Sequence, residues 1–236
     1  MTSRFAPKDG IDDPRKRRAG EEAASHVKDG MVVGLGTGST VYYTTRLLGE
    51  RIKDQELIVR AIPTSLDTRN YAKSLGIPLT DLEQDPEIDI TIDGADEVDP
   101  QLNLIKGLGG ALLMEKIVAA ASKKEIIVAD QGKIVPKLGR GKLPVEVLQF
   151  GFKSTFLKLE ELNLNPTLRM AGPITPFLTD NNGFIVDCLP GEIEDPTKLE
   201  RIINTVPGVV ENGLFIGLAD LIIIGDENGL EFMENK

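Results

Sequence analysis

Short apolar runs alternate with amphipathic stretches through the first half of the chain and again near its end. These runs cover residues 31–35, 57–62, 88–92, 126–129 and 221–224. They are nearly continuous in aliphatic and β-branched side chains, which is typical of parallel strands buried on both faces. The pattern therefore predicts an α/β fold, with a mostly parallel Rossmann-like sheet and helices on both faces.

A second pattern begins near residue 143, where prolines become frequent and the predicted elements are short. We predict strands at 145–148, 167–170, 184–189 and 209–216, and helices at 152–162 and 196–205. This β-α-β-β-α-β order is that of ferredoxin-like domains. Because the run at 221–224 resembles the earlier strands, we expect it to return to the large sheet. The sequence thus predicts a large α/β domain from residues 1–142 and 218–236, with a small α+β ferredoxin-like domain inserted at 143–217.

A glycine-rich loop follows the first apolar run and comprises Gly36, Thr37, Gly38, Ser39 and Thr40. Ligands of parallel α/β sheets bind beyond the carboxyl ends of the strands, and loops of this kind hold phosphate through backbone N–H groups. A dinucleotide loop would have glycine in place of Ser39, and a Walker loop would have a lysine before its hydroxyl residue. The loop therefore suits a single phosphate or a row of sugar hydroxyls. The alternative is an ordinary turn in which Ser39 or Thr40 caps a helix.

Charged residues cluster after the third run, in three groups: Asp93-Gly94-Ala95-Asp96-Glu97, then Lys106-Gly107-Leu108-Gly109-Gly110, then Glu115. A further loop at 130–133, after the fourth run, ends in Lys133. An ammonium group beside backbone N–H groups is suited to stabilise an oxyanion. The cluster indicates proton transfer on a small anionic substrate. Each group also has an ordinary interpretation: a turn, a flexible connection, and an exposed glutamate paired with a neighbouring lysine.

Composition and charge exclude several classes of function. The formal net charge of -10 and the isoelectric point near 4.8 disfavour nucleic acid as a partner. Arg15-Lys16-Arg17-Arg18 is the local exception, and we interpret it as the solvated face of a first helix, with a phosphate contact as the alternative. No apolar stretch is long enough for a membrane helix or a signal peptide, so we expect a cytoplasmic protein without membrane contact. One cysteine and one histidine are too few for the usual metal sites and catalytic triads.

Together these motifs resemble the ribose 5-phosphate isomerases of the A type, from the first glycine loop to the end of the chain. The residues that carry the resemblance are Gly36 to Thr40, Thr64-Ser65, Asp93 to Glu97, Lys106-Gly107 with Gly109, Glu115-Lys116 and Lys133. The resemblance implies an aldose–ketose isomerase that interconverts D-ribose 5-phosphate and D-ribulose 5-phosphate through an enediolate, in the non-oxidative branch of the pentose phosphate pathway. It also implies that no metal or organic cofactor is needed, and that the protein is a homodimer or homotetramer.

The resemblance assigns roles to individual residues, with Glu115 as the general base. The implied catalytic residues are Glu115, Asp93, Asp96 and Lys106. The implied substrate-binding residues are Thr37, Gly38, Ser39, Thr40, Asp93, Gly94, Ala95, Asp96, Lys106, Gly107, Leu108, Gly109 and Lys133. The chain departs from the family at Met114, where arginine is frequent, and at Gly132, where serine is frequent. The segment from Met1 to about Asp13 lies outside the resemblance, and we expect it to be disordered.

Two other classes of function fit the same pattern. A sugar-phosphate-binding sensor domain would bind the ligand without catalysis, but it should carry a basic helix-turn-helix, for which the segment before the first strand is too short. A sugar-phosphate deaminase or a coenzyme A transferase could use a related scaffold. Such a deaminase usually relies on a catalytic histidine, and the only histidine here, His26, precedes the first strand.

Overall fold

A computed structural model describes residues 12–234 of the chain. Its main sheet contains the strands β1 (Val32–Leu35), β2 (Arg60–Pro63), β3 (Ile90–Gly94), β6 (Glu125–Asp130), β12 (Leu221–Gly225) and β13 (Leu230–Glu234). The strand order is β13-β12-β6-β3-β1-β2, and every neighbouring pair is parallel except β12 and β13. The predicted α/β class with a mostly parallel sheet is confirmed, as is the return of the last apolar run to this sheet.

Four helices accompany this sheet: α1 (Pro14–Ser25), α2 (Val41–Gln55), α3 (Leu66–Ser74) and α4 (Leu112–Ala120). Alternate side chains of β1 enter different hydrophobic clusters. Val33 and Leu35 pack with the buried alanines of α1 and with Leu48 of α2, whereas Val32 packs with Val118 of α4. Because successive residues of a strand face opposite sides, helices cover both faces of the sheet, as predicted.

The N-cap residue of α1 is the last residue of the segment that we expected to be disordered. Asp13 occupies the N-cap position and accepts a hydrogen bond from the Arg15 backbone N–H, and Pro14 follows at the first helical position. Both are favourable at a helix N-terminus. Asp13 is therefore ordered, contrary to expectation, while residues 1–11 lie outside the described residues.

The Pro-rich half contains the predicted β-α-β-β-α-β order. Its elements are β7 (Leu143–Val147), α5 (Phe152–Glu161), β8 (Thr167–Leu168), β9 (Phe184–Cys188), α6 (Pro196–Asn204) and β10 (Val209–Asn212). The four strands form an antiparallel sheet in the order β10-β7-β9-β8. Aliphatic side chains of this sheet and of its helices, among them Val145, Val186 and Ile203, are buried in one core. The predicted ferredoxin-like pattern is confirmed.

The predicted strand at 209–216 is wrong, because it divides at Gly213. Residues 209–212 form β10, whereas β11 (Leu214–Phe215) joins a separate three-stranded sheet with β4 (Glu97–Val98) and β5 (Leu104–Ile105). A side chain at Gly213 would place its Cβ 2.4 Å from the backbone oxygen of Lys106. Glycine permits this close approach of two backbones, and the strand changes sheets there.

The described part of the chain divides into two compact units. One comprises the residues up to Ala95, Met114–Lys133 and the residues from Gly217, and the other comprises Asp96–Leu113 and Ile134–Ile216. The contacts group residues 96–113 and 134–142 with the smaller unit. This grouping follows from the pairing of β5 with both β4 and β11, and from a bridge between Val98 and Ile134. The domain boundaries that we predicted at 143 and 217 stay a prediction. Over residues 12–234, no helix has the length and apolar character that crossing a bilayer requires.

Candidate active site

The first glycine loop is held against Asp93, the last buried residue of β3. The Asp93 carboxylate oxygen Oδ1 accepts hydrogen bonds from the backbone N–H groups of Thr37, at 3.1 Å, and Gly94, at 2.7 Å. A Cβ atom at Gly36 would lie 2.1 Å from the same oxygen. Glycine is therefore required at position 36, because any side chain would displace the buried carboxylate. The two motifs that the sequence placed after different strands are in direct contact.

A cluster of hydroxyl groups fixes the other side of this loop. Thr37 Oγ1 lies 2.9 Å from Thr64 Oγ1, 2.8 Å from Ser65 Oγ and 3.1 Å from Thr68 Oγ1. Thr68 Oγ1 also donates to the Gly36 carbonyl at 2.9 Å, and Ser65 caps α3 through the Thr68 backbone N–H. The Thr37 hydroxyl thus holds the loop to the start of α3. Its predicted contact with substrate stays a prediction.

The end of the loop begins α2, but without the capping hydrogen bond of the ordinary interpretation. Thr40 stands at the N-cap position and its side chain makes no capping bond. Ser39 Oγ instead accepts a hydrogen bond from the Lys16 ammonium group at 3.0 Å. Lys16 belongs to the basic run that we interpreted mainly as a solvated face, but its ammonium group contacts the loop. The sequence feature that could have indicated this contact is the basic run in the helix before the first strand. The alternative, a phosphate contact, stays a prediction.

Glu115 lies in the first turn of α4 and is 4% exposed. The interpretation of this residue as an exposed helical glutamate is therefore wrong. Its neighbour Met114, where the family often has arginine, lines a cavity of about 250 Å³ with Ile62, Pro63 and Val118. Burial of a carboxylate requires specific partners or a functional reason, since an ionised group loses much of its hydration there.

Lys133 ends a short 3-10 helix, Gln131–Lys133, that follows β6. The Gly132 backbone N–H donates to Asp130 Oδ1 at 3.0 Å, which forms the turn before the lysine. The turn therefore forms with glycine at the position where the family often has serine. Lys133 itself is partly exposed.

In the smaller unit, Asp96 contacts the second glycine loop. The Leu108 backbone N–H donates to Asp96 Oδ2 at 2.9 Å, and the Asp96 backbone N–H donates to the Ile105 carbonyl at 2.8 Å. The Gly110 N–H donates to the Gly107 carbonyl at 2.9 Å, so residues 107–110 form a hydrogen-bonded turn. Gly107 has a φ of 104°, a conformation that favours glycine. The segment is thus a defined turn and not a flexible connection.

Lys106 directly precedes this turn and is 2% exposed. Its ammonium nitrogen lies 5.3 Å from the centroid of the Phe215 ring, within the range of a cation–π interaction. The backbone N–H of Lys106 donates to the Gly213 carbonyl at 2.9 Å. Strand β5 and the switch of strands at Gly213 therefore position this buried cation.

The predicted site residues thus fall into two groups. The larger unit holds Thr37, Gly38, Ser39, Thr40, Asp93, Gly94, Ala95, Glu115 and Lys133, and the smaller unit holds Asp96, Lys106, Gly107, Leu108 and Gly109. The chain passes from one group to the other within three residues, from Asp93 to Asp96, and again within five, from Gly110 to Glu115. In residues 12–234 no three His, Cys, Asp or Glu side chains are grouped so that they could hold a metal ion.

The fold and these side chains define a class of protein: an α/β protein with a mostly parallel sheet, buried carboxylates, a buried lysine and a hydroxyl-lined glycine loop. Comparison with known proteins identifies the family. Residues 60–229 match the model of the family described as ribose 5-phosphate isomerase A (phosphoriboisomerase A). The chain belongs to this family.

Individual relatives agree with this assignment. A ribose-5-phosphate isomerase A of Streptococcus thermophilus is 47% identical over 95% of this chain and 99% of its own length. Ribose-5-phosphate isomerase A 1 of Oceanobacillus iheyensis is 48% identical over 92% of this chain and 97% of its own. The solved isomerase of Methanocaldococcus jannaschii matches with a TM-score of 0.90 and 38% identity, over 94% of this chain and 99% of that one. A D-ribose-5-phosphate isomerase in complex with phospho-erythronic acid matches with a TM-score of 0.91 and 40% identity, over 94% and 98%. The chain is an isomerase of this kind.

Proposed function

We propose that Glu115 is the general base in the interconversion of D-ribose 5-phosphate and D-ribulose 5-phosphate. The Glu115 carboxylate would take the proton from C2 of the open-chain aldose while the C1 carbonyl oxygen gains negative charge and then receives the proton that leaves the C2 hydroxyl. The same carboxyl group would return its proton to C1 of the enediolate as the C2 hydroxyl becomes the ketone. One group that can both accept and donate a proton suffices for this reaction. The observation that carries the proposal is the burial of Glu115 immediately after the glycine turn.

Lys106 and the turn at 107–110 are suited to the charge that develops on the carbonyl oxygen. The ammonium group of Lys106 is buried, and a preorganised cation or N–H donor acts more strongly where water is excluded. Removal of one such donor in comparable sites costs about 3 kcal/mol of transition-state stabilisation. This turn would thus supply the electrophilic side of the reaction.

Asp93 and Asp96 would bind sugar hydroxyls and assist ring opening. Asp93 uses Oδ1 for the loop and Asp96 uses Oδ2 for the turn, so each carboxylate is oriented by backbone N–H groups. Carboxylates accept hydrogen bonds from hydroxyl groups. The same two residues would therefore orient both the loops and the sugar.

The phosphate would be bound by Ser39, Thr40 and Lys133, with Lys16 beside Ser39. The start of α2 favours an anion through its backbone N–H groups and dipole, and the Lys16 contact adds positive charge. Binding energy from this remote group would position C1 and C2 against the base. The relative solved with phospho-erythronic acid supports a site for a phosphorylated sugar acid, and we expect this compound to compete with ribose 5-phosphate.

We further propose that the protein needs no metal or organic cofactor, is cytoplasmic, and forms a homodimer or homotetramer without nucleic-acid or membrane partners. The acidic composition supports the last point, because nucleic acids and anionic lipids attract basic surfaces.

The proposal is tested by ketose formation from ribose 5-phosphate in the presence of a chelator. We expect the wild type to be active and Glu115→Gln to lose about 1,000-fold or more in kcat with KM nearly unchanged, since acid–base catalysis alone contributes about 100- to 10,000-fold. Glu161→Gln, which changes an exposed helical glutamate, is the control. Turnover retained by folded Glu115→Gln would refute the base, and loss of wild-type activity with the chelator would refute cofactor independence.

A further inference from the structure

Arg169 contacts the second glycine turn from the end of strand β8. Its Nη1 donates to the carbonyl oxygens of Gly107, at 3.2 Å, and Leu108, at 2.9 Å. These are two successive carbonyls of the turn that Lys106 precedes. The turn is closed by a Gly110 N–H bond to the same Gly107 oxygen. Thus one guanidinium nitrogen holds the carbonyl side of the turn.

Asp187 fixes the orientation of this guanidinium group. Arg169 Nε donates to Asp187 Oδ2 at 3.1 Å, and Nη2 donates to Oδ1 of the same carboxylate. Asp187 belongs to β9 and its side chain is 5% exposed. Lys142 Nζ also lies 3.3 Å from Asp187 Oδ2, but its side chain is 55% exposed. A two-pronged arginine–carboxylate pair restricts both position and plane, so the direction of Nη1 is set.

Because the peptide group is planar, this contact also fixes the direction of the amide N–H groups of the turn. In a trans peptide the N–H points opposite to the preceding C=O. With the Gly107 carbonyl on Arg169, the Leu108 N–H points away from the guanidinium, and there it donates to Asp96. With the Leu108 carbonyl on Arg169, the Gly109 N–H is directed to the opposite side in the same way. Arg169 and Asp96 therefore hold the turn from its two sides.

We propose that Arg169 is a positioning residue for the isomerisation: through its pair with Asp187 it orients the turn at 107–110, so that Lys106, which directly precedes this turn, meets the developing oxyanion. This inference rests on the proposed role of that turn. Arg169 touches no reacting atom in this account. Its contribution is the placement of donors, and a misplacement of about 1 Å can reduce a rate about 100-fold.

The test separates this role from a merely structural one by comparing Arg169→Lys, Arg169→Ala and Lys142→Met. Lysine restores the charge opposite Asp187, but a single ammonium group lacks the fork that serves the carboxylate and two carbonyls together. We expect Arg169→Lys to unfold near the wild-type denaturant midpoint, yet to lose about 10- to 100-fold in kcat with KM changed less than 3-fold. Hydrogen exchange of the segment 107–110 should become faster in the same variant. Lys142→Met removes the other cation beside Asp187 and should leave kcat and exchange unchanged.

Wild-type kcat in folded Arg169→Lys would overturn the inference, and so would wild-type kcat in folded Arg169→Ala or an equal loss of kcat in Lys142→Met. If Arg169→Ala does not fold, Arg169→Lys decides alone. Glu115→Gln is measured in parallel. If it loses turnover while Arg169→Lys does not, the inference fails and the proposed function stands. If Glu115→Gln keeps turnover, it is the proposed function that fails.

Discussion

The two glycine-rich loops of this isomerase are held by opposite chemistry. In the first loop a carboxylate, Asp93, accepts backbone N–H groups, and hydroxyls around Thr37 complete the contacts. In the second a guanidinium, from Arg169, binds backbone carbonyls and is itself paired with Asp187. The charge that fixes each loop is thus matched to the backbone groups that it binds: N–H groups for the carboxylate and carbonyl groups for the guanidinium.

This difference determines which chemical groups each loop can offer to a ligand. Because Asp93 binds the Thr37 N–H early in the first loop, the later part of the loop is left to present the hydroxyls of Ser39 and Thr40 at the start of α2, beside Lys16. Such groups suit a phosphate. Because Arg169 binds the carbonyl side of the second turn, the Leu108 N–H is directed to Asp96 on the opposite side, and the turn follows Lys106, whose ammonium group suits an oxyanion. We therefore propose that similar glycine-rich sequences serve binding in the first loop and chemistry in the second.

Gly36→Ala should have the largest effect, because it disrupts the contact between the first loop and Asp93. The new Cβ would lie 2.1 Å from Asp93 Oδ1, so the carboxylate must move and lose its bonds to Thr37 and Gly94. We expect kcat/KM to fall about 100-fold, as for displacement of a positioned catalytic group. Steady-state kinetics with ribose 5-phosphate measures the effect.

Gly229→Ala is the matched control, since a Cβ there meets nothing within 4 Å and the backbone has no positive φ. It should retain wild-type kinetics. Unchanged kcat/KM in Gly36→Ala would mean that the position of the Asp93 carboxylate does not matter to the reaction.

A smaller effect is expected from Lys133→Ala, which sharpens the assignment of phosphate binding to the first group of residues. Loss of one partly exposed cation should raise KM about 10-fold and change kcat less than twofold, because the contact is made equally in the ground and transition states. The difference should shrink at high salt. Lys137→Ala, which removes an exposed lysine paired with Glu194, is the control. A loss confined to kcat would instead place Lys133 at the reacting carbons.

The features that the sequence could predict are those encoded by neighbouring residues. Apolar runs predicted the five main strands, and local turn and helix signals predicted the order of the small sheet. Strand β13 was missed because it is an edge strand in which three of five residues are exposed, so it lacks a continuous apolar run. The division of the predicted strand at Gly213 was missed because its cause is the close approach of Lys106, more than 100 residues away.

The same limit applies to the functional residues. Asp93, Lys106 and Glu115 lie within short motifs, and their residue types indicate their chemistry. Arg169 carries no local signal, because the carbonyls that it binds are 61 and 62 residues away in the chain. The burial of Glu115 was also inaccessible to sequence reasoning, since a helical pattern does not show how deeply each polar position is covered.

The smallest expected effect concerns a second buried carboxylate in the sheet that holds Asp187. Glu146 accepts a hydrogen bond from Thr179 Oγ1 at 2.7 Å, but its Oε2 is buried and has no hydrogen-bond partner among residues 12–234. Burial raises the pKa of Glu146 above its ordinary value of 4.5, although the Thr179 bond opposes this. Asp187, by contrast, faces two cations. The negative charge of Asp187 is used in its pair with Arg169. We expect the negative charge of Glu146 to be dispensable for activity.

We therefore expect Glu146→Gln to gain stability relative to the wild type as the pH rises. With its pKa raised in the folded state, Glu146 binds its proton more tightly there than in the unfolded chain, so its contribution to stability is lost as the pH passes from about 4.5 upward. We expect the difference in the free energy of unfolding to shift in favour of the variant between pH 4.5 and pH 8. Urea unfolding at both pH values measures this shift, and kcat should not change. A shift of the opposite sign would mean that the folded protein stabilises the ionised form of Glu146. The sheet would then stabilise a buried charge besides the pair of Asp187 with Arg169.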